Sequence, residues 1–478
     1  MQKKPNILFI SVDSLRADHM SLYGYKKETT PNLCRLAETS VFFDQAISAA
    51  AWTGASVSSM LTGLYPVSHG FTNARYYLDD DIPTLAERLS GIGYSTAIFS
   101  NNLYITDKTG LTRGFDKYYY KGVLQSGSRT RAGKSSRFPV PLSLSQRMMI
   151  KDILDFYRPS AGLKRDDGAE ATNHSIRQHI LNQGEHPFFL FVHYQEPHSI
   201  YFPPLPYRRR YFSGSWFSQY KYLDFDHIGF FAGRKQFSQK EINAYTELYD
   251  GEIAYLDYRL GQLFDWLADS KLLDNTLIIF TADHGESMGE NGYLWHAFCI
   301  YNGLIKVPLM IRFPEWFPKA QNNRDLVQNV DLAPTIYEGL NIPWDYKNEN
   351  QGQSFLNEST REAAFCQYDN PERMVDRWLV RRKDIDKDEF KQFFRSLTSI
   401  QTRDEKLIHS SDHRHEFFNL KQDPSESVNR YSDDKERALE MKKRLDEWLG
   451  SLKPHVANSQ QEDFDKETWE KMKALGYA

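Results

Sequence analysis

The chain has 478 residues, 40% hydrophobic, 26% charged and 14% aromatic, a profile that excludes disordered and fibrous classes. Lys+Arg 59 against Asp+Glu 63 gives a net charge of −4, so no chain-wide basic field draws it to nucleic acid or anionic lipid. Its length suits two or three domains at roughly 150 residues each.

Cys34, Cys299 and Cys366 are widely spaced and odd in number, which excludes a disulfide framework, and no Cys-x-x-Cys pair suggests zinc. The apolar run at 7–12 is too short for a secretory signal. No run approaches ~18 consecutive apolar residues, so no membrane span is expected, and a cytoplasmic, reduced protein is the default.

The first element is a buried strand at 7–12, followed directly by Asp13-Ser-Leu-Arg16. A carboxylate just past a buried strand is placed to hold a metal; alone, it reads as readily as a turn cap. Next, 54–61 reads as a helix with Thr53 as N-cap and Gly63 as its stop. A hydroxyl at a helix N-terminus suits an anionic substrate, and equally a plain cap. A helix at 82–89 and a strand at 95–99 follow. The stretch 121–137, with five basic residues and no acid, reads as a loop.

A fully apolar strand at 188–192 leads into His193 and, after Pro197, His198. The segment 201–237, crowded with aromatics and arginines, reads as irregular. Loops this long are usually functional, so both 121–137 and 201–237 are candidates for substrate selection. A helix at 241–267 precedes a strand at 277–280 that ends in Ala282-Asp283-His284-Gly285-Glu286. Adjacent Asp and His at a strand end can hold a hard-to-borderline divalent ion, or form a turn with a solvated His. His296, a strand at 309–311 and a helix at 331–339 complete this part.

Beyond 370 the pattern changes to short strands at 378–381, 399–402, 406–409 and 416–420. A last helix carries Ala438, Leu439, Met441, Leu445, Trp448 and Leu449 on one face. The whole reads as an α/β protein, with a mostly parallel central sheet covered by helices on both faces over 1–370. A smaller α+β subdomain, with an antiparallel sheet and terminal helix, is expected over 371–478.

Together the segments resemble the sulfatase branch of the alkaline phosphatase superfamily. The likeness rests on Pro5-Asn-Ile-Leu-Phe, Tyr23-Gly-Tyr, Thr30-Pro-Asn-Leu, Leu61-Thr-Gly-Leu-Tyr-Pro, Gly110-Leu-Thr-Arg-Gly-Phe-Asp116 and Asp283-His-Gly-Glu. It continues through Lys306-Val-Pro-Leu-Met-Ile, Val330-Asp-Leu-Ala-Pro-Thr and Phe418-Asn-Leu-Lys-Gln-Asp-Pro. It implies one divalent ion held by Asp13, Asp283 and His284, with Thr53 as the nucleophile completing the shell. Thr53 stands ten positions before Gly63, where the family places its nucleophile. His198 and His296 fall where family members contact the transferred group or protonate the leaving oxygen. His198 is favoured as the acid, because the Pro197-His198 turn directly after a buried strand fixes its ring. Ser14, Arg16, Asn102 and His193 are expected to bind substrate. Mn²⁺ or Zn²⁺ is favoured, because one ligand is an imidazole, with Ca²⁺ and Mg²⁺ as alternatives.

The departures bear on activity. Sulfatases oxidise Cys or Ser to formylglycine within Cys-x-Pro-Ser-Arg, whereas this chain has Thr53, Ala55 and Val57. Threonine cannot yield the aldehyde, since its β-carbon already bears a methyl group. Ser14 replaces a second acid, and Ser100-Asn-Asn102 replaces a Lys/His pair. The expectation is therefore a phosphoester hydrolase or phosphotransferase, including phosphodiesterases, acting through a covalent phosphothreonine. Two alternatives are a sulfatase working without formylglycine and a non-catalytic binding or scaffold member. The substrate is expected to be a small-molecule, glycan or lipid-headgroup anionic ester, with no nucleic-acid partner and with homo-oligomerisation left open.

Overall fold

The computed structural model describes residues 4–120, 123–124, 166–184, 186–223, 225–318, 320–344, 351–357 and 361–457. In chain order its strands are β1 (Asn6–Val12), β2 (Val41–Ile47), β3 (Ser95–Ser100), β4 (Lys117–Tyr120), β5 (Val123–Leu124), β6 (Phe188–Tyr194), β7 (Thr276–Ala282) and β8 (Ser287–Met288). They continue with β9 (Leu294–Trp295), β10 (Lys306–Val307), β11 (Leu309–Arg312), β12 (Gln321–Gln328), β13 (Ala364–Tyr368), β14 (Leu397–Gln401), β15 (Glu405–Ser410) and β16 (Glu416–Asn419).

Every residue of β1, β6 and β7 is buried, which is why their sequences are almost unbroken apolar runs. Ten strands form one sheet in the order β10-β2-β11-β7-β1-β6-β3-β4-β5, with β12 also paired to β2. The pairs β7/β1, β1/β6, β6/β3 and β3/β4 are parallel, whereas β11 runs antiparallel to both β7 and β2. Helices cover it in two groups. The 31-residue helix Gln239–Asp269 contacts Pro31–Ala37, Ala169–Asn182 and Leu205–Tyr211, while Thr53–Thr62 contacts Leu85–Gly91 and Leu332–Gly339. This is the α/β architecture the periodicity implies. Ser238 starts the long helix through a capping box with Glu241, and Leu248, Leu256, Leu260, Leu263 and Leu267 form part of its buried stripe.

The C-terminal sheet runs β13-β14-β15-β16, all antiparallel, so it begins at Ala364, ahead of the division expected at 370. The helix Lys435–Ser451 packs on it through Ala438, Met441 and Leu445, but Leu439 is 51% exposed and leaves that face. Among the described residues no helix is long and apolar enough to cross a membrane.

Two readings are corrected. The strand expected at 378–381 is instead the end and tail of a helix, Glu372–Leu379. Val375 and Trp378, three apart, reach the same apolar cluster as Phe231, Trp295, Phe298 and Phe390, and that contact selects the helical spacing. The segment 201–237 is not irregular throughout. It holds helices Leu205–Tyr211 and His227–Phe231, the second capped by Asp226, and a 3₁₀ turn Ser218–Leu223. The loop expected at 121–137 lies outside the described residues, apart from β5.

Candidate active site

Sheet register assembles the site. Val12 of β1 pairs with Ala282 of β7 and Tyr194 of β6, and Ser11 pairs with His193. Asp13 and Asp283, the next residues along, therefore emerge side by side at the carboxyl edge, with His193 on the neighbouring strand. All three are buried, and one ligand atom from each lies within 4.8 Å of the others, a group able to hold a metal ion. His193 Nε2 is 3.1 Å from Asp283 Oδ2, and its Nδ1 has no hydrogen-bond partner among the described residues. His284 Nε2 lies 3.6 Å from Asp13 Oδ1 and 3.7 Å from Asp283 Oδ2.

Burial pushes the Asp283 carboxyl up, but the His284 charge and a hydrogen bond from His193 outweigh it and hold it below the carboxylate range. Burial pulls His284 down, and the Asp283 and Asp13 charges raise it above its ordinary value. Among the described residues, no Lys or Arg pairs with either carboxylate. Two fully buried carboxylates whose charged neighbours are imidazoles alone are costly without a further cation, and the oxygen and nitrogen donors fit a divalent ion.

Thr53 approaches this cluster from the helix Thr53–Thr62. The cap is Trp52 rather than Thr53, which is the first helical residue, and its hydroxyl meets His284 and Asn102. Gly63 ends the helix in the left-handed region at φ 70°. Thr53 Oγ1 is 3.3 Å from His284 Nε2, and Asn102 Nδ2 donates to Asp13 Oδ2 at 2.8 Å and to Thr53 Oγ1 at 3.3 Å. Gly54 is required next to Thr53, because a Cβ there would lie 2.4 Å from Phe71 and 2.6 Å from Trp52.

A polar clamp fixes the helix against the end of β7. The Ser48 and Ser56 hydroxyls both approach the Asp283 carbonyl oxygen at 2.7 Å, and Asn329 Nδ2 donates to Ser56 Oγ at 2.9 Å and to Ser48 Oγ at 3.2 Å.

The residues expected on substrate divide. Ser14, at φ 60°, donates from Oγ to Asp13 Oδ1 at 3.0 Å and from its backbone to Asp283 Oδ1 at 3.3 Å. Ser14, Asn102 and His193 thus buttress the carboxylates. Arg16 turns away. Its guanidinium donates to Asp18, Glu290 and the Glu286 carbonyl oxygen.

His296 and His198 complete the rim. The His296 ring centroid is 4.8 Å from that of His284 and 5.1 Å from that of His198. His296 Nδ1 lies 3.0 Å from Glu286 Oε1, Tyr201 donates to Glu286 Oε2 at 2.8 Å, and His198 Nδ1 faces the Ser199 carbonyl at 2.7 Å. Burial raises Glu286 to about 7 and holds His296 well below its ordinary value, where the His284 and His198 charges add to the effect. Glu286 ends the Asp283-His-Gly-Glu segment, and nothing local in the sequence marks it as the partner of His296.

A narrow cavity of about 40 Å³ adjoins Thr53 and His296, walled by Trp52, Tyr76, Tyr104, Trp295 and Trp378. The Trp52 ring meets Tyr76 and Tyr104 edge-on at 5.5 and 5.4 Å, and the Arg377 guanidinium lies 4.1 Å from the Tyr76 ring centroid. These aromatics come from five separate segments, and no sequence pattern joins them.

The sulfatase family profile matches residues 5–342, and that of the N-sulphoglucosamine sulphohydrolase C-terminal region matches 289–453. The chain is 24% identical to an N-acetylglucosamine-6-O-sulfatase of Bacteroides thetaiotaomicron, over 89% of this chain and 82% of that one. It is also 24% identical to the multifunctional alkaline phosphatase superfamily protein PehA of Trinickia caryophylli, over 91% and 93% of the two chains. In fold it is similar to a phosphonate monoester hydrolase of Agrobacterium radiobacter, with TM-score 0.66 and 19% identity over 94% of this chain and 95% of that one. It is likewise similar to a protein solved with its substrate D-glucosamine-2-N,6-O-disulfate, with TM-score 0.64 and 19% identity over 94% and 98%. The chain belongs to the sulfatase family of the alkaline phosphatase superfamily, a family of ester hydrolases that bind a divalent metal.

Proposed function

We propose that this chain is a metal-dependent sulfuric ester hydrolase in which Thr53 takes the place of formylglycine. The observation that carries this reading is the charge count at Thr53. Asp13 and Asp283 balance one divalent ion, and neither the residues lining the cavity nor those touching Thr53 Oγ1 include Lys or Arg. Such a site favours a monoanion, and a sulfate monoester is one. A phosphate monoester carries about −1.5 to −2 charge, and its second negative charge would find no further cation at Thr53 to balance it.

A divalent ion held by Asp13, Asp283 and His284, with His193 adjoining, supplies the charge that lowers the hydroxyl pKa and offsets charge on the non-bridging oxygens. Mn²⁺ or Zn²⁺ suits imidazole better than Ca²⁺ or Mg²⁺. The Thr53 hydroxyl releases its proton to solvent, and its oxygen forms the new bond to sulfur as the bond to the leaving oxygen breaks. Asn102 orients the hydroxyl, and His296, held by Glu286, hands the leaving oxygen its Nε2 proton as Nδ1 takes one from the Glu286 carboxyl. Water then attacks sulfur, the bond between sulfur and the Thr53 oxygen breaks, and the two water protons pass to the Thr53 oxygen and, through His296, back to the Glu286 carboxyl, leaving inorganic sulfate. The aromatic walls suit a ring-bearing leaving group, a sugar or an aryl alcohol. The Arg377 charge behind Tyr76 disfavours a cationic one.

A second reading, favoured by the identity of Thr53 itself, is hydrolysis or transfer of a phosphodiester or phosphonate monoester. Those groups are also monoanionic, and a covalent phosphothreonine is a sound intermediate. Nitrophenyl sulfate, bis-nitrophenyl phosphate, a nitrophenyl phosphonate and nitrophenyl phosphate, assayed with Mn²⁺ and with Zn²⁺, separate the readings. Sulfate turnover exceeding the others supports the proposal, and a faster diester or phosphonate selects the second reading. Fastest turnover of the dianionic monoester overturns the charge argument.

A further inference from the structure

We propose that the cavity between the α/β core and the C-terminal sheet is a second ligand site that takes an uncharged sugar ring. It has a volume of about 670 Å³, within the usual range for small-molecule sites. Thr53, Asp13, Asp283, His284, His198 and His296 are absent from its lining, so it is separate from the ester-cleaving centre.

Gln401 carries the inference. It ends β14 on the face that carries Leu397 and Ser399, and its side chain is buried at 1% exposure. Neither its amide oxygen nor its amide nitrogen has a hydrogen-bond partner among the described residues, and it lines the cavity. A buried primary amide offers two donors and an acceptor in one plane. Leaving all of them unmet is unfavourable, so the amide is matched to something that enters.

The rest of the lining defines what enters. Lys306 and Asp44 supply further donors and acceptors, and Lys306 feels the opposing charges of Asp18 and Asp44. Arg16 is taken up by Asp18 and Glu290, and Glu426 is paired with Lys406 at 2.6 Å. Arg403 supplies a further positive charge, so the signs balance within the wall, which favours neither an anion nor a cation. Tyr301 adds an aromatic surface, its hydroxyl donating to Glu416. A compact ligand that donates and accepts at adjacent positions and presents an apolar face is a polyhydroxylated ring. The inference does not depend on which ester Thr53 attacks.

Saturation-transfer NMR on the full chain, with D-glucose, D-galactose and N-acetyl-D-glucosamine titrated separately, tests this. At least one sugar is expected to bind, with apparent affinity falling about tenfold in Gln401→Leu, through loss of the amide's hydrogen bonds. Asp44→Ala, a change nearer the surface, is expected to weaken the same sugar while turnover of a nitrophenyl ester and the melting temperature stay unchanged. Failure of all three sugars to bind overturns the proposal. So does binding that neither substitution weakens, and so does a preference for glucose 6-phosphate at these residues.

Discussion

The hydroxyl oxygen of Thr53 stands 3.3 Å from Nε2 of His284, with both side chains buried at the carboxyl edge of the sheet. If that oxygen is the nucleophile, Thr53→Ala lowers turnover by roughly 10³-fold or more, because the covalent step is lost. Trp52 rather than Thr53 is the N-cap of the helix, and the Thr53 hydroxyl is bonded to His284 and Asn102, so folding should survive the change. Thr53→Ser is expected to retain measurable turnover. Intact-mass spectrometry with a slow substrate should find an adduct on the peptide containing Thr53. A Thr53→Ala variant of near-normal activity means that water attacks directly.

Metal occupancy follows from the buried carboxylates. Asp283→Ala and His284→Ala should each lose the ion by elemental analysis, while Arg16→Gln should keep it, since Arg16 bonds elsewhere. Chelation should also lower the melting temperature of the natural chain, because an ion that binds only the folded state stabilises it by mass action. Full occupancy in Asp283→Ala would identify a different set of ligands.

Legibility from sequence divided along physical lines. Strands covered on both faces announce themselves as apolar runs, so β1, β6 and β7 and the polar residues at their ends could be read directly. What depends on lateral pairing could not. His193 adjoins Asp283 only because β6 and β7 flank β1 on opposite sides, an order set by the whole sheet. Arg16 follows a strand end, but the bond from its guanidinium to Glu290, 274 positions away, has no local signal in the sequence. Trp378 sits in a short apolar run that suits strand and helix alike, and burial against Phe231 and Phe298 decided it. Glu286 was visible as a residue, but its bond to His296 comes from the fold of the segment 287–295 that carries β8 and β9.

The two rim histidines should differ in what they do. His296 is oriented by Glu286 and lines the cavity beside Thr53, so His296→Gln is expected to hurt an alkyl ester far more than a nitrophenyl ester. General acid catalysis is worth roughly 10²–10⁴-fold, and an activated phenolate needs little of it. His198→Gln, if that ring only contacts the charged group, should depress both substrates alike. Parallel losses in His296→Gln and unequal ones in His198→Gln would return the acid role to His198, as the turn after β6 first suggested.

Stability should carry a pH signature of its own from Glu196. This side chain is fully buried, and its Oε1 accepts the Ala169 backbone N–H at 2.9 Å, at the start of the helix Ala169–Asn182. Its Oε2 has no partner among the described residues. Burial, with the Asp167 and Asp166 charges behind it, raises the carboxyl from 4.5 to about 8. The folded chain therefore keeps a proton that the unfolded chain releases near 4.5, and between those values it binds more protons than the unfolded state does. Stability contributed by this group is complete below pH 4.5 and declines as pH rises through about 8, with a total on the order of a few kcal/mol. Glu196→Gln keeps an acceptor for Ala169 and removes the titration. Thermal melts from pH 5 to pH 8, inside the window set by those two values, should show a shallower fall for the variant than for the natural chain. Equal slopes would mean that Glu196 is already ionised in the folded protein.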